Sequence, residues 1–310
     1  MALVTVEGVM GQEKGEGWQM YHGDSCEVLR GLPDASVGYS VFSPPFASLY
    51  TYSSSPRDLG NCGGYEEFFD HFGFIVDELF RLTRPGRLCS FHCMLLPTSK
   101  TMHGKIGLYD FRGELIRSFV ARGWIHHSEV VIWKDPVTAM QRTKAIGLLY
   151  KQLRKDSCMS RQGIPDYVVT MRRPGANDET DRVEHAPEDF PLDDWQKIAS
   201  PVWTDINPSD TLQHRSARES NDERHICPLQ LEVIRRCLLL WSRPGDVVLS
   251  PFAGIGSEGF VALGGRTMAG ASVPPRKFVG VELKESYYRQ AVANLRGVKR
   301  QGGLFDKVMP

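Results

Sequence analysis

Two short runs in this chain combine residue types and spacings that chemistry can use. Ser43-Pro44-Pro45-Phe46 closes an apolar run, Val37 to Phe42. An aromatic amino group is a poor nucleophile because its nitrogen lone pair is delocalised into the ring. Acceptors on both of its hydrogens pull the nitrogen toward tetrahedral geometry and localise that pair. The Ser43 side chain and the Pro44 carbonyl can be those acceptors, and the two prolines fix the backbone so that the carbonyl points outward. Phe46 offers a π-face for an extruded base. The second run is Pro251-Phe252-Ala253-Gly254-Ile255-Gly256-Ser257-Glu258-Gly259, which closes the run Asp246 to Leu249 and contains G-x-G-x-x-G. Glycines there let the backbone turn tightly and let a ligand approach it closely. Glu282 ends the next apolar run, 23 residues past Gly259, where a carboxylate can take two ribose hydroxyls. Alone, this fragment fits any adenosine-bearing cofactor, NAD included, or glycines used only for helix–strand packing.

The elements that must position these residues follow from periodicity. Residues 1–17 are Gly/Glu-rich and are expected to be loose. Trp18 to Tyr21 reads as a strand, Glu27 to Leu32 as a helical turn, and Val37 to Phe42 as a strand stopped by the prolines. Residues 47–64 read as a long functional loop. Tyr65 to Leu82 is the clearest helix, with Phe68, Phe69, Phe72, Ile75, Val76, Leu79 and Phe80 on one stripe. Arg84-Pro85-Gly86 ends it. Arg87 to Met94 then reads as a strand, Glu114 to Arg122 as a helix and Val130 to Trp133 as a strand. The pattern degrades from Asp135 to Glu223, where Tyr167 to Met171 is the one clear β run. It resumes with a helix at Leu229 to Trp241, a strand at Val247 to Leu249 and a helix from Gly259. A strand at Phe278 to Val281 and a helix at Ser286 to Leu295 complete it. Strand–helix alternation predicts an α/β sheet. The simplest organisation is one domain over 18–135 and 224–297, interrupted by an insert over 136–223 and followed by a tail over 298–310.

Composition narrows the classes. The 310 residues carry 37 Lys+Arg against 37 Asp+Glu, so only the distribution of charge is informative. From Lys134 to Arg173 there are nine basic and three acidic residues. From Asp178 to Asp194 there are eight acidic residues and one Arg. Such runs are often no more than solvated faces. No stretch reaches 18 apolar residues and the start offers no apolar leader, which excludes a spanning helix and leads to the expectation of a cytoplasmic protein. Seven cysteines, an odd number, fit a reducing compartment. Cys89 and Cys93 flank His92 in a run that reads as a buried strand, and no metal site is expected.

With these motifs in hand, the chain resembles the amino-methylating DNA methyltransferases that use S-adenosylmethionine, in the order where the amine motif precedes the cofactor motif. The resemblance covers about residues 18–297. It implies a Rossmann-like methyltransferase sheet with helices on both faces, a permuted motif order and an inserted target-recognition region at 136–223. By that match Asp24, in His22-Gly23-Asp24-Ser25, contacts the cofactor adenine. The catalytic tetrad falls on Ser43, Pro44, Pro45 and Phe46. His225 and Cys227 begin the helix over the methionine end. Ser250, Phe252, Ala253, Gly254, Gly256 and Ser257 form the cofactor loop, and Glu282 binds the ribose. Ser250 stands where the family usually has Asp, and His225-Ile226-Cys227-Pro228 departs from the more familiar His-Pro-x-Gln-Lys-Pro. Arg142, Lys144, Lys151, Arg154, Lys155 and Arg161 in the basic block are the expected phosphate and base contacts to double-stranded DNA. Ser-headed tetrads are usual for cytosine N4 and Asp/Asn-headed ones for adenine N6. Residues 148–153 and 160–167 nonetheless look like solitary phage-type enzymes, and adenine N6 is the favoured target, with N4-cytosine as the alternative. A homodimer is expected. Gln301, Leu304 and Phe305 in the tail resemble a peptide that docks on a sliding clamp.

Three other readings compete. A nicotinamide dehydrogenase leaves Ser43 to Phe46 and the basic block unexplained. A methyltransferase for protein amides leaves the basic block unexplained. A non-catalytic DNA-binding regulator of the same fold does not need an intact tetrad with Glu282.

Overall fold

In the computed structural model the described residues are 9–46, 59, 62–98, 100–137, 149–177, 179–213 and 228–305, with side chains described up to 298 apart from those of 101 and 102. The apolar runs read from the sequence become the strands of one mixed sheet. In chain order the strands are β1 (Val9–Gly15), β2 (Trp18–Gly23), β3 (Val37–Phe42), β4 (Thr83–Met94), β5 (Leu96–Thr98), β6 (Gly107–Tyr109), β7 (Ile125–Ile132), β8 (Asp166–Arg172), β9 (Val202–Trp203), β10 (Val247–Ser250) and β11 (Lys277–Glu282). Among the described residues nine of them form one sheet in the order β1-β2-β11-β10-β3-β4-β8-β7-β9, and β5 pairs with β6 apart from it. The central five, β2-β11-β10-β3-β4, are parallel, while β8 runs antiparallel to both β4 and β7.

Helices cover both faces. On one face lie α1 (Ser25–Arg30), α2 (Tyr65–Leu82) and α4 (Phe111–Val120), with the short α3 (Lys100–His103) between the last two in sequence. Phe68, Phe72, Ile75, Val76 and Leu79 of α2 are buried against Val28, Leu29, Phe111, Leu115 and Phe119 and against the sheet. Full burial of each such side chain is worth about 1.5–3 kcal/mol. On the other face lie α7 (Leu231–Trp241), α8 (Ser257–Ala262) and α9 (Glu285–Phe305). Ile234, Cys237, Leu238, Phe260, Val261, Ala291 and Leu295 fill the second core. Two short helices, α5 (Tyr150–Lys155) and α6 (Leu192–Ile198), fall in the stretch of degraded pattern. Among the described residues no helix is long and apolar enough to cross a membrane.

Several expectations need correction. Part of the 1–17 stretch is ordered: Val9–Gly15 is an edge strand antiparallel to β2. Its exposure alternates without an apolar face, so periodicity was silent. The stretch 136–223, read as an insert with one β run, contributes two strands to the sheet. Its β8 is wedged between β4 and β7, and its β9 pairs with β7. The helix expected at Glu114 begins at Phe111, because Asp110 caps it by accepting from Gly113 N–H at 2.9 Å. α9 continues through Phe305, so the backbone at Gln301, Leu304 and Phe305 is helical rather than an extended peptide. The side chains of those three residues lie outside the described set.

An ionic clamp at the N-terminal edge of the parallel strands fixes β4 against β10 across β3. Arg87, fully buried, donates to Asp246, and Arg84 donates to the same carboxylate at 2.5 Å. Asp181 receives Arg84 at 2.8 Å and Arg87 at 3.1 Å, and Arg243 reaches it at 3.2 Å. Gly38 of β3 leaves room for this: a Cβ there would lie 2.5 Å from Arg84 Nη2 and 2.7 Å from Asp246 Cγ. Burial alone would push the Asp246 carboxyl up, but the Arg87 guanidinium and its neighbours hold it below the ordinary value. Asp181 belongs to the acidic run, which is therefore not only a solvated face. Asp246→Asn leaves the buried Arg87 with only the Asp181 carboxylate and should destabilise the fold by about 3–5 kcal/mol in chemical denaturation. A loss within experimental error would show that the clamp contributes no net stability.

Candidate functional site

Parallel strands place all their C-terminal ends along one edge of the sheet. β2 delivers Asp24, β11 delivers Glu282, β10 delivers Ser250 and Pro251, β3 delivers Ser43, and β4 delivers His92. From β3 the chain crosses to β4 on one side, and from β10 to β11 on the other. The sheet thus reverses its order between β3 and β10, and ligands of open α/β sheets bind at such a point. Ser43 and Pro251 begin the two loops that flank it. The two motifs, distant in sequence, are neighbours here.

The cofactor half is built by backbone geometry. Gly254 and Gly256 have φ of +51° and +82°, in the left-handed region that favours glycine. A Cβ at Gly254 would meet nothing within 4 Å, so this glycine faces open space in which a ligand can approach the backbone. A Cβ at Gly256 would press on Ala291 of α9 at 3.1 Å, and one at Gly259 would overlap the Phe278 ring at 2.4 Å. The three glycines therefore do different work, and only the first adjoins open space. Glu282 accepts from Gly254 N–H at 2.8 Å and from Lys284 N–H at 2.9 Å, which ties the loop to β11. Ser25 donates to the Pro251 carbonyl and ties α1 to the same loop. Asp24 caps α1 by accepting from Cys26 N–H at 2.8 Å. Ala253 N–H donates to Val281 at 2.9 Å, and Ser257 opens α8 as a buried residue. Phe252 packs its ring against Phe42 and Phe72, at 5.8 and 6.4 Å, so it links the loop to the core. Ser250 is buried with its hydroxyl unpartnered.

The amine half lies across the switch point. Pro44 is buried, and Ser43, Pro45 and Phe46 are half-buried. Phe46 stands edge-on to Phe111 at 6.1 Å, which fixes its ring beside the site. Ser43 Oγ lies 3.3 Å from His92 Nδ1 and 3.4 Å from the His92 carbonyl. His92 Nε2 lies 3.0 Å from Asp166 Oδ2, and Lys134 Nζ reaches the same oxygen at 2.5 Å. Burial raises the Asp166 carboxyl, but His92 and Lys134 outweigh it and hold it below the ordinary value. Sequence reasoning missed His92, Asp166 and Lys134. Strand alternation explains His92: Cys89 and Cys93 point into the helix-covered core, where burial pushes both thiols up, while His92 points the other way. The same alternation excludes a shared site for the three. Asp210 was also missed. It caps α7 from a distance, accepting from Glu232 N–H at 3.2 Å and, through its carbonyl, from Leu231 N–H at 2.8 Å.

Of the expected DNA contacts, Lys151, Arg154 and Lys155 are exposed on α5. Arg161 is half-buried, and burial lowers its guanidinium. Arg142, Lys144, His225 and Cys227 lie outside the described residues.

The fold matches known proteins. The family model described as DNA methylase, for N6 and N4 methyltransferases, matches residues 39–293. The chain belongs to this family of S-adenosylmethionine-dependent DNA methyltransferases. The DNA adenine methyltransferase YhdJ of Escherichia coli K12 is 24% identical over 286 residues, which are 90% of this chain and 83% of that one. TTHA0409 of Thermus thermophilus, solved in complex with S-adenosyl-L-methionine, superimposes with a TM-score of 0.63 at 23% identity, covering 90% of this chain and 93% of that one. The cytosine-N4-specific PvuII DNA methyltransferase superimposes with a TM-score of 0.61 at 16% identity, covering 92% and 90%. At these identities the solved structures establish the α/β architecture.

Glu258 sits in the first turn of α8, buried, with its carboxyl pushed up to about 8, first by burial and then by the charge of Glu282. Its folded value lies above the ordinary 4.5. The unfolded chain therefore releases this proton first, and stability is lost as pH rises between the two values, by a few kcal/mol in all. Glu258→Gln should flatten the fall in melting temperature between pH 5 and 8. An unchanged pH dependence would show that Glu258 is already ionised in the fold.

Proposed function

We propose that this chain is a site-specific DNA methyltransferase that moves a methyl group from S-adenosylmethionine to the exocyclic amine of a base rotated out of the duplex, with adenine N6 as the target. The observation that carries this reading is the meeting of Ser43–Phe46 and the Gly254 loop on either side of the switch between β3 and β10. Gly254 leaves the open approach, Glu282 holds the loop and accepts from the ribose hydroxyls, and Asp24 stands at the adenine end. Ser43 and the Pro44 carbonyl accept the two amine hydrogens, and Phe46 stacks on the base. α5 and Arg161 meet the phosphates. Adenine is favoured by residues 148–153 and 160–167, which resemble solitary phage-type enzymes. The Ser-headed tetrad is the feature that favours cytosine N4. The active form is read as a homodimer on double-stranded DNA.

The deciding experiment incubates the protein with labelled S-adenosylmethionine and duplex DNA, digests the product and identifies the methylated nucleoside. N6-methyladenine supports the reading, N4-methylcytosine replaces its target, and an unlabelled duplex overturns it. Ser43→Ala should still bind cofactor and DNA while its single-turnover rate falls by about 100-fold or more. A normal rate in that variant would remove Ser43 from the chemistry.

Basic side chains on α5 should make DNA affinity fall steeply with salt. Neutralising Lys151, Arg154 and Lys155 together should reduce the log–log salt slope by roughly 1 for each phosphate that these side chains had paired. If affinity and slope both stay at wild-type values, these side chains form a solvated face only.

A further inference from the structure

The line Ser43–His92–Asp166–Lys134 is assembled from four strand ends and is not explained by amine recognition alone. Val41 pairs with Ser90 and Phe42 with Phe91 in the parallel β3–β4 ladder, so the next step sets Ser43 beside His92. Met94 pairs with Asp166 and His92 with Val168 in the antiparallel β4–β8 ladder, which puts His92 diagonal to Asp166 on one face. Ile132 of β7 pairs with Asp166, and Lys134 follows two residues later. Asp166 is buried, and its Oδ1 has no hydrogen-bond partner. A buried carboxylate beside the switch point is costly unless it serves the groups around it.

A serine at the head of the tetrad poses a chemical problem that a carboxylate does not. A carboxylate only accepts, whereas a hydroxyl donates as readily as it accepts. To localise the amine lone pair, Ser43 Oγ must present lone pairs to an amine hydrogen. Its own hydrogen must then be drawn elsewhere. His92 Nδ1 at 3.3 Å is an acceptor in the right place, provided the ring proton sits on Nε2. Asp166 Oδ2 lies 3.0 Å from Nε2 as an ion-pair contact without a formed hydrogen bond, and its charge favours a proton on that nitrogen, while His92 and Lys134 keep Asp166 ionised.

We propose that His92, oriented by Asp166, is the positioning residue that makes the Ser43 hydroxyl an acceptor and then receives the reaction's proton through it. This rests on the amine-methylation reading above. In the step, the amine lone pair forms the new bond to the methyl carbon, and the carbon–sulfur pair stays on sulfur, leaving a neutral thioether. The nitrogen, now positively charged, loses a proton to Ser43 Oγ as the Ser43 proton passes to His92 Nδ1. The imidazole becomes imidazolium beside the Asp166 carboxylate and later returns its proton to water. The charged groups facing this relay are Asp166 from β8 and Lys134 from the end of β7. If the ring is already imidazolium, Nδ1 donates to Ser43 Oγ and the acceptor is lost. The rate should therefore fall as pH drops through the ionisation of His92.

The test is single-turnover methylation of duplex DNA at saturating S-adenosylmethionine across pH, with cofactor and DNA affinity measured on the same preparations. His92→Gln should lose about 100-fold or more in rate at near-normal affinities, together with the acid limb of the profile. Asp166→Asn should lower the single-turnover rate by roughly 10–100-fold at near-normal affinities, because the ring proton is no longer held on Nε2. A carboxylate at the tetrad head has no hydroxyl hydrogen to divert, so in a Ser43→Asp background His92→Gln should cost only a few-fold. A His92→Gln rate within about threefold of wild type overturns the proposal, as does an equal loss in the Ser43 and Ser43→Asp backgrounds. Should Ser43→Asp be inactive or His92→Gln unfolded, Asp166→Asn decides, since an unchanged single-turnover rate overturns the relay. Methylated base formed by the wild-type protein separates failure of the relay from failure of the amine reading, which would give none.

Discussion

The whole site depends on one short parallel seam. β10 joins β3 through the pairs Val248 with Tyr39 and Leu249 with Ser40, and this seam unites two halves of the sheet that are some 200 residues apart in the chain. Ser43 and Pro251 lie just beyond it, at the start of the loops that leave the two strands. So short a ladder cannot set its own register firmly, and the Arg84–Asp246–Arg87 clamp at the opposite edge supplies the constraint. Arg87 comes from β4 and Asp246 precedes β10, so the clamp spans β3, and Gly38 makes room for it. A slip of one residue would turn Ser43 to the other face of the sheet. Charges buried at one edge thus hold the geometry of neutral, directional chemistry at the other.

Motifs whose function is local were legible in the sequence. A strand ending in Ser-Pro-Pro-Phe and a strand ending in a glycine loop can be read without knowing their partners, and both stand where parallel strands end. The helix Tyr65–Leu82 was legible because its stripe repeats over five turns. Long-range pairing was not legible. β8 reads as an isolated β run in a poorly patterned stretch, and nothing local says that it enters the sheet between β4 and β7. Asp166 and His92 become neighbours only through that pairing. His92 also stood among cysteines in a run that looked uniformly buried, and only the period of two separates its face from theirs. β1 escaped because an exposed edge strand has no apolar side to alternate. The end of α9 escaped because Gln301, Leu304 and Phe305 read as an extended docking peptide, although the two glycines between them cost a helix only about 1 kcal/mol each.

The stretch between β7 and α7 has two roles that its charge pattern concealed. Its basic side chains on α5 stand out in solvent, as a nucleic-acid surface would. Its acidic residues do not simply mirror them, because Asp181 is drawn into the arginine clamp and Asp210 caps α7. The segment is therefore bolted to the domain at β8, at Asp181 and at Asp210.

The head of the tetrad shows why those bolts matter. A carboxylate in that position would bring its own acceptor character, and its neighbours could vary freely. A hydroxyl brings only a location, and its direction must come from other elements. Here that direction is set by a histidine on β4, an aspartate on β8 and a lysine beyond β7, and the last two lie on strands that the antiparallel extension adds to the parallel sheet. The extension is thus more than a cover for the β4 edge. It carries the buried charge that decides which way one hydrogen points, and a serine can then do what the more familiar carboxylate does unaided.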